Sequence, residues 1–365
     1  MNRVLPISSI RFVLATWVVL SHLGLPILTA HQTGILWAAR ALIDSAFNGP
    51  AAVIVFFVIS GFCIHFPNRS GLEVRSWKLY YARRYLRTLI PMAAALALAA
   101  PLKVPFGLFT DSVLWSLLCE EIYYFLYPGL LYLRDRIGWR YLLALAWLLS
   151  VMVLLTDPHA VIYPAFGWEL NWVLGLPCWL LGCRLAERFG GSKSSPVSVS
   201  QIWIWRGGTW MLSSLALVMR FHGSIGYPWT LNLFAAFATL WLEREIRYYQ
   251  SRRAPLLENL GDASYSIYLT HFSSFAILRA LPGYAAMGSV GVWSSSALLC
   301  GTLATLFYCF VERPSHRLAR RFTKRVTWTG EIAPPKPRQL SPDLNSAPMY
   351  ACTPIKLDRA GENIN

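Results

Sequence analysis

Apolar positions dominate this chain in long runs, and most charges fall in the gaps between them. Windows of roughly 17 to 25 mainly apolar residues, the length a helix needs to span a bilayer, fall near residues 9–30, 49–66, 88–102, 113–133, 141–156, 168–186, 208–222, 227–243, 260–280 and 289–311. The pattern predicts an all-α integral membrane protein, a polytopic bundle of about ten transmembrane helices. The third window, TLIPMAAALALAAPL, is short and bounded by proline, which suits a re-entrant or steeply embedded segment, and the seventh and eighth are weakly separated. From about residue 326 the pattern changes to GEIAPPKPRQLSPDLNSAP, which is polar, rich in Pro and without helical periodicity. The expected division is a membrane-embedded domain over 1–322 and a disordered cytoplasmic tail over 323–365.

Composition narrows the class. With 55% hydrophobic and 14% charged residues, and 16 Trp, 17 Tyr and 19 Phe, the chain is too apolar for an ordinary soluble domain. Its first apolar run is too long for a signal peptide, holds Arg11 and His22, and is followed by further spans.

Charge sets the expected orientation. One set of alternate connections carries Arg3; Arg69, Arg75, Lys78, Arg83, Arg84 and Arg87; Arg134, Arg136 and Arg140; Arg184, Arg188, Lys193 and Arg206; Arg244, Arg247, Arg252 and Arg253; and Arg313, Arg317, Arg320, Arg321, Lys324 and Arg325. The other set has only Arg40, Lys103, Arg220 and Arg279, and 24 cations against four place both termini in the cytoplasm by the positive-inside rule. The net charge of +15 is then mostly a topology signal and calls for no nucleic-acid partner. The seven cysteines include no C-x-x-C pair, and no metal site is expected.

Polar groups inside the spans carry the candidate chemistry, because an ionisable side chain at the bilayer centre costs roughly 2.5 to 3.5 kcal/mol or more. In RFVLATWVVLSH, Arg11 and His22 stand three helical turns apart on one face, about 16 Å along the axis. A snorkelling arginine and a backbone-bonded histidine would account for the same stretch. LLCEEIYYFLYP brings Glu120 and Glu121 into a span together, pointing about 100° apart, so at least one must be protonated or paired. YYARRYLRTLIP places Arg84 and Arg87 on one helical face, a spacing that grips phosphate oxygens and equally fits a solvated positive-inside cluster. In FFVISGFCIHF, Ser60 and Gly61 interrupt an aromatic wall and admit either a packed helix or a ligand. His271 in SYSIYLTHF, and Glu312 with Arg313 at the end of the last span, read as structural.

Taken in order, these segments resemble the acyltransferase-3 family of integral membrane O-acyltransferases, which in bacteria acylate lipopolysaccharide O-antigens, exopolysaccharides, nodulation factors and other envelope glycans. The likeness runs from about residue 5 to residue 321. It rests on Arg11 and His22 with ten residues between them, FFVISGF, RRYLRTLIP, WSLLCEEIYYFLYP, LGDASYSIYLTHF and VERPSHRL. The resemblance implies a multi-pass protein of the bacterial cytoplasmic (inner) membrane that moves an acyl group, most often acetyl, from acyl-coenzyme A to a glycan or glycolipid hydroxyl. It makes His22 the catalytic histidine, Arg11 its companion and Glu120, rather than Glu121, the acidic residue of the site. Arg84 and Arg87 fall on the arginine pair assigned to acyl-CoA, with Ser60 and Gly61 beside them, while His65 and His316 match no position assigned to chemistry. Where family members often carry an acidic residue and a glycine near the first arginine, this chain has Ser8, Ser9 and Phe12. The segment from Arg87 to Trp115 is also short, and the chain is expected to be a membrane domain alone.

The expected chemistry is acyl transfer from a thioester to a sugar hydroxyl, with neutral His22 as general base or, in a variant, as a covalent acyl carrier. A transporter or flippase of glycan or lipid intermediates also keeps embedded His, Glu and Arg. Such proteins often show paired internal repeats, and none is evident here.

Overall fold

A computed structural model describes residues 6–24, 46–69, 77–104, 114–189, 196–250, 252 and 255–328, with only the backbone described over 322–328. Ten α-helices form among the described residues: α1 (Ile7–Leu23), α2 (Gly49–His65), α3 (Trp77–Ala99), α4 (Leu114–Leu154), α5 (Gly167–Arg188), α6 (Val199–His222), α7 (Tyr227–Tyr249), α8 (Ser264–Ala280), α9 (Ser289–Phe307) and α10 (Arg313–Trp328). No described residue lies in a strand. The tail beyond Trp328 lies outside the described residues, as do Arg3, Arg40, Arg75, Lys193 and Arg253.

Every predicted window holds helix, with three differences. The third window is not a short piece on its own: α3 starts at Trp77, carries the basic segment and continues through Pro91 to Ala99 as one helix. The fourth and fifth windows share α4, which bends where Gly138 takes φ 79° and ψ 163°, a conformation open to glycine. The ninth window begins as a 3-10 segment, Leu256–Ala263, before α8 takes over. A π-helical turn, Tyr308–Glu312, joins α9 to α10.

By length and composition, Gly49–Asn68, Leu114–Leu154 and Ser289–Arg321 are apolar and long enough to cross a membrane, and α1 is a shorter apolar helix. Several of the others are diluted by polar groups turned inward, such as Asn171 on α5, Asn232 on α7 and His271 on α8, all buried. Asn171 Oδ1 and His271 Nε2 meet no hydrogen-bond partner among the described residues, whereas Asn232 is satisfied across helices. Asn232 accepts from Tyr163 at 2.9 Å and donates to Ser150 at 3.0 Å, linking α7 to α4.

Helix α2 is the hub, buried almost all round and packed on α1, α5 and α7. Its start is fixed by Asn48, whose side chain caps the Ala51 N–H at 3.1 Å with Pro50 in the first turn. Against α5 the backbones nearly touch. A Cβ on Gly61 would collide with the Trp179 carbonyl, and one on Gly182 with that of Val58. Small residues permit that approach, which drives helix association in lipid by dispersion contacts.

Candidate active site

Helices α1, α2, α3, α4, α8 and α10 surround a cavity of about 560 Å³. Arg11, Ser60, Arg84, Arg87 and Glu120, widely separated in sequence, all line it. Local structure explains each placement. The start of α1 is pinned by Glu258, which accepts from the Ser9 backbone N–H at 3.0 Å and from its hydroxyl at 2.8 Å. Gly261 lets the 3-10 segment lie directly on Ser8, where any Cβ would strike backbone. That seats Arg11, two residues beyond Ser9.

On α3, the three-residue spacing sets Arg84 and Arg87 on one face. This helix is held to α4 by Tyr80, donating to the Tyr124 carbonyl at 3.1 Å, and by Tyr81, donating to that of Phe125 at 2.8 Å. Tyr265 of α8 ties in from the other side, donating to the Thr88 carbonyl at 3.1 Å.

A directional hydrogen-bond chain runs along the wall. The Trp179 indole donates to Ser60 Oγ at 3.3 Å, Ser60 and Tyr124 hydroxyls lie 2.9 Å apart, and Tyr124 donates to Glu120 Oε2 at 3.1 Å. Because the single hydroxyl proton of Tyr124 is given to Glu120, the Ser60 hydroxyl donates to Tyr124 while accepting from the indole N–H. The Arg84 guanidinium lies 4.8 Å from the centre of the Tyr124 ring, a cation–π contact. Glu121 does not line the cavity, and its Oε2 is buried without a hydrogen-bond partner among the described residues.

The closing wall was not read as chemical from sequence. Glu312, Arg313, His316 and Arg320 line the cavity, so both members of the Glu312–Arg313 pair and His316, which matches no position assigned to chemistry, belong to it. Glu312 accepts from Ser266 through backbone N–H at 3.1 Å and hydroxyl at 2.5 Å, a cap on the start of α8 from a distant element. The VERPSHRL segment was the available signal, but a basic stretch after a last span looks like topology alone. Tyr124 was missed because a tyrosine in an aromatic run has no sequence mark of its own. In all, the cavity sets Arg11, Arg84, Arg87, Arg313 and Arg320 against Glu120, Glu312 and Asp262. A partly desolvated, net-positive chamber with guanidinium forks suits a phosphorylated anion.

Two expected residues lie apart from it. Gly61 packs on α5 and does not line the cavity. His22 is also absent from the lining. It sits about 16 Å from Arg11 along the axis of α1, accessible, with its ring 5.4 Å from that of His271 and 4.8 Å from that of Phe272, both on α8. Tyr268, one turn before His271, faces the cavity, so α8 bridges the arginine chamber and His22. His65 is buried in a separate knot, bonded to Tyr127 at 2.9 Å and to Glu187 at 2.9 Å. Glu187 also accepts from Arg134 at 2.7 Å and from Trp139 at 3.0 Å.

The sequence profile of an acyltransferase domain, that of the acyltransferase-3 family, matches residues 7–311. Among curated proteins, the chain is 25% identical over 330 residues to Acyltransferase MdmB of Streptomyces mycarofaciens, a match covering 77% of this chain and 84% of that protein. No solved structure matches the chain.

Proposed function

Given that the chain belongs to the acyltransferase-3 family, we propose that it is a multi-pass O-acyltransferase of the bacterial inner membrane that moves an acyl group, acetyl foremost, from acyl-CoA to a hydroxyl of an envelope or secreted glycan. The observation that carries the donor half of this reading is the arginine-rich chamber, which gathers Arg11, Arg84 and Arg87 beside Glu120. Phosphates and ribose of the coenzyme suit that end. Its extended thioester arm would run along α8 toward His22, where the acceptor hydroxyl waits.

A hydroxyl becomes a competent nucleophile as a base removes its proton. In this reading His22 takes that proton as the oxygen bonds to the acyl carbon, the carbon–sulfur bond breaks, and the proton passes to the departing thiolate. Arg11 and Glu120 hold charge balance in the chamber, and the Ser60–Tyr124 chain fixes the Glu120 carboxylate.

The test has two arms. Purified protein in lipid nanodiscs should bind acetyl-CoA, and proton NMR of envelope and secreted glycans should show an O-acetyl signal that vanishes when the gene is deleted. Absence of acyl-CoA binding together with unchanged glycans would defeat the reading.

A further inference from the structure

The acceptor end holds a second histidine that the mechanism leaves idle. His271 is fully buried on α8, with Nδ1 2.8 Å from the Tyr268 carbonyl oxygen. A carbonyl only accepts, so Nδ1 carries the proton, and the neutral ring is left with Nε2 as a bare acceptor. That Nε2 is buried and has no hydrogen-bond partner among the described residues. Buried polar atoms without partners are uncommon and call for an explanation. A candidate partner is His22, whose ring is stacked on His271 with centroids 5.4 Å apart and planes at 25°. Phe272 closes the pair, 4.8 Å from His22 and 4.5 Å from His271. His22 itself is solvent-accessible, and a hydrogen bond to that Nε2 requires its ring to turn out of the stacked arrangement.

Resting on the reading of His22 as general base, we propose that His271 is its positioning residue: Nε2 of His271 accepts the N–H of His22 in the working complex and thereby aims the other His22 nitrogen at the acceptor hydroxyl. A base that must present one particular nitrogen needs its tautomer fixed from the other side, and here a neutral imidazole serves where other enzymes use a carboxylate. A carboxylate there would bring an unpaired charge among apolar side chains, whereas an imidazole whose own proton is held by a backbone carbonyl brings none. His271 keeps its Nδ1 proton throughout. The hydroxyl proton travels only from acceptor oxygen to His22 and on to the thiolate.

Amide substitutions separate this role from a structural one. Asparagine reproduces the Nδ1–H donated to Tyr268, glutamine reaches the Nε2 position, and phenylalanine fills the space with neither. Transfer would be followed with the full-length protein in nanodiscs, radiolabelled acetyl-CoA as donor and the glycan fraction of cells lacking the gene as acceptor. His271→Phe and His271→Asn should lose at least about tenfold in kcat, the scale of a misaimed catalytic group, with KM for acetyl-CoA unchanged. His271→Gln should retain most of the rate. Equal rescue by asparagine and glutamine would reduce His271 to a helix-packing residue, and glutamine as inactive as phenylalanine in a well-folded protein would overturn the acceptor role. Full activity of all three variants, or a rise in KM alone, would do so as well. Should His271→Phe fail to fold, the asparagine–glutamine comparison decides. His22→Gln run in parallel keeps the two ideas apart: transfer surviving that change defeats the base assignment itself, whatever His271 variants do.

Discussion

At the scale of single residues, the site divides into a charged chamber and a histidine pair, and the division makes different mutations fail differently. Loss of a general base typically costs about 10² to 10⁴ in rate, so His22→Gln should abolish nearly all transfer in a protein that still inserts and stays monodisperse. More than about a tenth of wild-type activity would be far short of that range and would contradict the role. Arg11→Lys should also impair transfer, since a planar guanidinium fork is not replaced by a point charge. Tyr124→Phe removes the hydroxyl that donates to Glu120 while keeping the ring under Arg84. A hydrogen bond to a charged group is worth about 1.5 to 3 kcal/mol, so steady-state assays of that variant should show transfer reduced roughly ten- to a hundredfold.

At the scale of helices, glycine contacts and cross-helix hydrogen bonds position the site. The approach of α2 to α5 depends on Gly61 and Gly182, each of which meets backbone where a Cβ would stand. Gly61→Leu should therefore separate the two helices, tilt Ser60 out of line with Trp179, and lower the melting temperature in detergent, with overpacking costing about 1 to 3 kcal/mol. An unaltered melting temperature would mean that α2 and α5 can part without cost. The His65–Glu187–Arg134 knot binds the end of α2 to α4 and α5 away from the cavity. His65→Ala leaves the Tyr127 hydroxyl and one Glu187 hydrogen bond unmatched, so it should reduce stability by about 1 to 3 kcal/mol while the folded fraction keeps its kcat. A kcat that fell as steeply as for His22→Gln would place His65 in the chemistry instead.

For the whole molecule, the proposed donor face gathers arginines from α1, α3 and α10. Changing Arg84 and Arg87 together to Ala should raise the KM for acetyl-CoA, with membrane insertion retained. Failure to insert would point to the positive-inside role alone. Topology makes a separate expectation: reporter fusions active only in the cytoplasm should fluoresce when joined after Trp328, and an exported-only enzyme reporter should not work there. Among the described residues none beyond Arg320 lines the cavity, so ending the chain after Trp328 should leave transfer largely intact. A loss of activity at full expression would assign the remaining residues a part in the reaction.

Sequence alone determined the helical membrane class, because a bilayer-length apolar run is a local property and leaves the chain few other solutions. It also named four of the chamber's eight charged residues as candidates for chemistry, since Arg11, Arg84, Arg87 and Glu120 are conspicuous beside apolar runs. What it could not reach was pairing across distance. That α3 starts a full three turns before its apolar stretch, that Glu258 and Glu312 cap α1 and α8 from remote segments, and that His316 and Arg320 turn into the cavity follow from how helices meet, not from any one window. The stacking of His22 on His271 was likewise fixed only when α8 packed beside α1. Hydrophobic periodicity says which face of a helix turns inward, but the partner it meets there is chosen by packing across the whole bundle.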